Sequence, residues 1–102
     1  MIVVDGDTIR TPDGVPYRLL GFDTPETHRA RSEYELRLGK KAKDRLEQII
    51  ASGEAVLIPS GRQDKYGRSL ARLEVNGRDV GSILIGEGLA RPYTGGKREK
   101  WN

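Results

Sequence analysis

Apolar and polar side chains alternate along the first stretch, with β-branched residues at Ile2, Val3, Val4, Thr8 and Ile9. That period of two predicts a strand over residues 2–11. Gly6 interrupts it, so a bulge or a tight bend is expected there. Pro12-Asp13-Gly14 reads as a turn, because proline presets one dihedral and glycine accepts a positive φ. Residues 15–21 read as a second strand that forms a hairpin with the first. Residues 27–37 are polar and mixed in charge, the pattern of an exposed loop. From residue 38 the period changes. Leu38, Ala42, Leu46, Ile49 and Ile50 recur at helical spacing and predict a helix over 38–52, which Gly53 stops. Lys40, Lys41, Lys43, Arg45 and Glu47 fall largely on its other faces.

A short apolar run at 54–59 predicts a further strand, and Gly61 to Gly67 a loop. Residues 68–75 alternate again, and Asn76-Gly77 is a strong hairpin turn. Asp79 is placed to cap a short helix through about residue 86, with Val80, Ile83 and Leu84 facing inward. Gly86 and Gly88 end it, Leu89 and Ala90 return to the core, and a tail of glycine and charge runs from Thr94 to Trp101. Strands broken by one long and one short helix predict a mostly β, α+β domain built on a closed or partly closed barrel. The 102 residues contain no linker or repeat and read as a single domain.

Composition narrows the chemistry. There is no long apolar run and the mean hydropathy is −0.62, which excludes a membrane-spanning helix on sequence grounds. No cysteine is present, so disulfides, thiolate nucleophiles and sulfur-bound zinc are excluded. With His28 the only histidine, any metal must be held by oxygen. A formal net charge of +3 is compatible with a polyanionic partner without requiring one. No basic-then-apolar leader is read at the N-terminus, which leaves location open.

Three punctuated segments carry acids beside arginines: Asp5-Gly6-Asp7-Thr8, Arg18 to Glu26, and Asp64-Lys65-Tyr66-Gly67-Arg68. Each has an ordinary reading. Asp5 and Asp7 serve equally as turn residues, and Asp23-Thr24-Pro25-Glu26 equally as a helix-start signature. Arg18 within an apolar strand points to solvent, or inward toward an acid or an anion. Arg68 is either a surface cation of a hairpin or a phosphate contact. Together they are what phosphoryl transfer asks for: oxygens for a hard cation and guanidinium groups for the charge that develops on phosphorus.

In this order the segments resemble the staphylococcal-nuclease-like, or thermonuclease, family. The resemblance rests on Val4-Asp5-Gly6-Asp7-Thr8, Arg18-Leu19-Leu20-Gly21-Phe22-Asp23-Thr24-Pro25-Glu26-Thr27, Asp64-Lys65-Tyr66-Gly67-Arg68-Ser69-Leu70-Ala71 and Gly88-Leu89-Ala90, and runs from about residue 2 to residue 91. It implies a five-stranded OB-type barrel with packed helices, lacking the long C-terminal helix of larger members. It implies calcium-dependent hydrolysis of DNA or RNA phosphodiesters, with products ending in a 3′-phosphate. Asp7, Asp23 and the Thr24 carbonyl would then hold calcium, with Asp5 nearby. Glu26 would activate the attacking water, and Arg18 and Arg68 would stabilise the phosphate. Lys65, Tyr66 and Tyr93 would contact the nucleotide. A monomer, and an exported or periplasmic setting suited to calcium use, are further expectations of the resemblance. The competing expectation is a module of the same fold that binds nucleic acid or protein without cutting.

Overall fold

Gly6 turns the chain back on itself. In the computed structural model, which describes residues 1–28, 30–95 and 101, the stretch read as one strand is two: β1 (Ile2–Asp5) and β2 (Thr8–Arg10), antiparallel, with Asp5 opposite Thr8. The expected bend is therefore a full reversal, and it places Asp7 in the turn. β2 then pairs antiparallel with β3 (Pro16–Leu19) through the predicted turn, where the Gly14 N–H donates to the Thr11 carbonyl. Two residues further on, Phe22–Asp23 form a very short β4 that alternation could not reveal.

The long helix, α1, spans Glu33–Ala51, so it starts five residues before the predicted boundary. The cause is legible in the sequence. Ser32 is the N-cap, its side chain accepting from the Glu35 N–H, while the buried Glu35 carboxylate accepts from the Arg31 N–H. This is a capping box shifted by one residue at its return bond, and such a cap stabilises a helix by about 1 kcal/mol. The polarity of residues 33–37 hid it. The face turned to the core carries Glu35, Gly39, Ala42, Leu46 and Ile49.

β5 (Ala55–Gln63) runs beyond the predicted strand into the segment read as loop, and still pairs Gln63 with Ser69 of β6 (Ser69–Val75). Asn76 and Gly77 both adopt positive φ, as the Asn-Gly turn requires, and lead into β7 (Arg78–Asp79) beside β6. Asp79 caps α2 (Val80–Gly86) by accepting from the Ser82 N–H, as predicted. β8 (Arg91–Pro92), unforeseen, pairs with β4. The tail expected after Thr94 lies mostly outside the described residues.

The architecture is α+β, with one long and one short helix. Its main sheet follows the path β1-β2-β3-β6-β5, with β7 on β6. The β3–β6 pair is parallel and joins distant halves of the chain, setting Arg18 opposite Leu70. Ile9, Leu19, Phe22, Leu46, Leu73, Val80 and Leu84 fill the core between sheet and helices. Among the described residues no helix is long and apolar enough to cross a membrane.

Candidate active site

Three elements deliver the acids and the first arginine to one place. The β1–β2 turn carries Asp7, β3 carries Arg18 and β4 carries Asp23. All three side chains are buried, at 6%, 9% and 1% exposure. One nitrogen of Arg18, Nη2, lies 3.5 Å from Asp7 Oδ2 and 3.5 Å from Asp23 Oδ1. The other, Nη1, donates to the Leu19 carbonyl. Asp7 is fixed from several sides. Its Oδ2 accepts from the Thr24 N–H at 3.2 Å, its Oδ1 from the Thr8 hydroxyl at 3.1 Å, and its main-chain carbonyl from the Leu19 N–H at 2.8 Å. Arg18 thus points inward, toward both acids.

Both carboxylates contact the single guanidinium of Arg18. At 3.5 Å neither ion pair has the 2.7–2.9 Å length of a strong charge-assisted bond. Two carboxylates held near one another favour a cation between them. Among the described residues no three His, Asp or Glu side chains are grouped closely enough to hold a metal ion, so the protein side of such a site would be the two aspartates plus main-chain oxygen. That donor set fits a hard divalent cation, which takes carboxylate and carbonyl oxygens and completes its shell with water and phosphate oxygens.

The Asp64–Arg68 segment is organised by its own hydrogen bonds. Asp64 accepts from the Tyr66 and Arg68 N–H groups, each at 2.9 Å, and its Oδ2 accepts from Arg68 Nε at 2.7 Å. Partial burial acts to raise the Asp64 pKa, and it is outweighed by the bonds from Arg68 and Tyr66 and by the Arg68 charge, so the carboxyl sits below its ordinary value. The Arg68 guanidinium and the Lys65 ammonium lie 5.7 Å and 5.3 Å from the centre of the Tyr66 ring, which is 73% exposed. Because β6 runs beside β3, this turn faces Arg18. Arg18, Lys65, Tyr66, Arg68 and Tyr93 line one open groove of about 710 Å³, with Arg62, Asp64 and Leu70. Tyr93 is held by its N–H to the Gly21 carbonyl, and its ring centre is 5.7 Å from the Arg18 guanidinium.

Of the residues singled out in the sequence, Asp7, Arg18, Asp23 and Thr24 converge directly, and Lys65, Tyr66, Arg68 and Tyr93 meet Arg18 across the groove. Asp5 is half-buried at the end of β1. Glu26 is half-buried on the segment that follows β4, three residues beyond Asp23, and does not line the groove. Arg62 is the groove cation that sequence reasoning missed, because an arginine near the end of an exposed strand carries no signal of its own. A second depression of about 360 Å³, between α1 and α2, is lined by Arg45, Arg78 and Glu87 and holds none of these segments.

Two glycines make the convergence possible. A Cβ at Gly6 would lie 2.7 Å from Thr24 Oγ1 and 2.8 Å from the Ala42 Cβ, so the turn bearing Asp7, the segment after Asp23 and helix α1 meet where only hydrogen fits. Gly39, one turn earlier on α1, meets the backbone of Pro25 and Glu26 in the same way.

The family model described as staphylococcal nuclease homologue matches residues 16–101. The SPbeta prophage-derived endonuclease YokF of Bacillus subtilis is 41% identical over 95 residues, covering 86% of this chain and 31% of its own length. Endonuclease YncB of the same organism is 40% identical over 95 residues, covering 86% of this chain and 44% of its own. Endonuclease YhcR, also from that organism, is 34% identical over 102 residues, covering 89% of this chain and 8% of its own. The chain therefore spans less than half the length of these curated relatives. A match over residues 16–101, on a fold that gathers the motif residues, places this chain in the staphylococcal nuclease homologue family.

Proposed function

We propose that this domain hydrolyses phosphodiester bonds of DNA or RNA with the help of a divalent cation, calcium in the first instance. The observation that carries the reading is the shared contact of Asp7 and Asp23 with one nitrogen of Arg18, at the edge of a groove lined by Arg68, Lys65, Tyr66 and Tyr93. The family match and the endonuclease names of its relatives support it.

Asp7, Asp23 and the Thr24 carbonyl would hold the cation, with Asp5 close by. When bound, it supplies positive charge for a phosphate oxygen and an ordered water. The protein's own groups do the rest. Arg18 and Arg68 donate to the non-bridging oxygens of the scissile phosphate, and gain most as attack of water adds negative charge there. As the water oxygen bonds to phosphorus the P–O5′ bond breaks; Glu26 accepts the proton of that water, a contribution of about 10²–10⁴-fold where a base is well placed, and the leaving 5′ oxygen takes a proton from solvent. Tyr66 and Tyr93 offer ring faces to the flanking nucleotides, and Lys65 a phosphate contact. Neither aromatic contact reads a base edge, so the groove suits broad rather than sequence-specific cleavage.

The test is cleavage of single-stranded DNA and RNA by folded protein, with and without calcium. Calcium-dependent cleavage that falls at least about tenfold in Glu26→Gln is expected. Tight binding without turnover, at every calcium concentration, would overturn the reading in favour of a non-cutting binding module.

A further inference from the structure

We infer that Gly39, in the interior of helix α1, is a positioning residue for Glu26. The inference rests on the role proposed for Glu26. A Cβ built on Gly39 would stand 2.8 Å from the Pro25 carbonyl oxygen, 2.9 Å from the Glu26 carbonyl oxygen and 2.9 Å from Thr27 Cγ2. These approaches are well inside the ~3.5 Å of an optimal non-bonded contact. Two of the three atoms are main chain, so no rotamer change relieves them. The segment carrying Glu26 therefore lies directly on the helix backbone.

Helix propensity alone argues against glycine here, since alanine is the better residue in a helix interior. The neighbouring positions of the same face are filled: Glu35, Ala42, Leu46 and Ile49 all carry side chains into the packing. Gly39 is the place where the helix gives up propensity, and what it gains is contact with the Pro25–Thr27 main chain. Pro25 is fully buried and its ring restricts the backbone, so a displacement forced at its carbonyl is passed on to Glu26 rather than absorbed locally. The groove residues Arg18, Lys65, Tyr66, Arg68 and Tyr93 lie on other elements, so substrate binding is spared while the base is moved.

Gly39→Ala is expected to lower kcat on single-stranded DNA by about ten- to a hundredfold, the scale on which a misplacement of about 1 Å acts, with KM within about twofold. Its thermal midpoint should fall, because the roughly 1 kcal/mol gained in helix propensity does not cover the displacement of main-chain atoms. A double-mutant cycle separates positioning from general damage. If Gly39 acts through Glu26, adding Gly39→Ala to Glu26→Gln costs little further activity, whereas structural damage would multiply with the loss already present. Should Gly39→Ala fail to fold, Thr27→Ala loosens the same contact without adding a clash, and the same cycle is run with it. Full kcat in Gly39→Ala, or multiplicative losses in the cycle, would overturn the inference. An undiminished rate in Glu26→Gln alone would instead overturn the role of Glu26.

Discussion

Arg18 and Arg68 face the same groove but are held there by opposite means. Arg18 is buried in a central strand and shared, at 3.5 Å each, between acids from two different segments. Arg68 is partly exposed, and it is gripped at 2.7 Å by Asp64 of its own tight turn. The first arrangement is assembled by separate strands brought together in the fold. The second is local and balanced. An arginine shared by acids on two other elements reports on how those elements pack, whereas one held inside its own turn is pre-shaped by that turn. Good ion-pair geometry is not the mark of function either. Arg45 and Glu87 form a two-pronged pair at 2.7 Å and 2.8 Å that lowers the Glu87 carboxyl chiefly through the hydrogen bond from Arg45, and they lie outside the groove.

The sharpest way to break this contrast is Arg18→Met. It removes the guanidinium that both buried carboxylates share, so a stability loss of about 3–5 kcal/mol is expected by urea unfolding in chelator. Added calcium should restore part of that loss, because a ligand of the folded state alone stabilises it, while turnover stays down at least about a hundredfold. If Arg18→Met unfolds at the parent's urea concentration, the shared guanidinium does not stabilise the cluster.

Arg68→Ala should separate function from stability. Turnover is expected to fall about a hundredfold, while stability changes by less than about 1 kcal/mol, the usual worth of an exposed pair. Equal stability losses in the two arginine variants would erase the distinction between them.

The smallest effect tests the local turn by pH. The Asp64 carboxyl is lowered when folded, so its stabilisation is fully present above its ordinary value of 3.8 and is lost as pH falls through the lower folded value. The thermal midpoints of the parent and Asp64→Asn should therefore differ at neutral pH and converge in strong acid. A constant difference across that range would mean that Asp64 does not act through its charge.

Much of this was legible in the residues. Turn chemistry marked Asn76-Gly77 and the Asp79 cap, and helical spacing marked the buried face from Ala42 to Ile49. The start of α1 was missed because Glu35, a charged residue, is buried as part of a cap, so polarity signalled loop where hydrogen bonding made helix. β4 and β8 are each two residues long, too short for any alternation, and exist because they pair with each other. At the site, motif order pointed to the acids and arginines, yet single residues left Arg18 undecided between solvent and interior. It points inward to Asp7 and Asp23, which the β1–β2 turn and β4 bring together in a way that no single segment encodes. Gly39 was invisible for a like reason: its neighbours are main-chain atoms of another segment.

The parallel seam between β3 and β6 also dictates when the groove can form. Tyr17, Arg18 and Leu19 pair with Ser69, Leu70 and Ala71, residues that emerge only after α1 and β5 have been made. Closing such a long loop is slow compared with forming a helix or a hairpin. A nascent chain that ends before β6 has its acids and Arg18 but no groove opposite them, so the groove that the proposed cleavage needs arises late, together with the completed sheet.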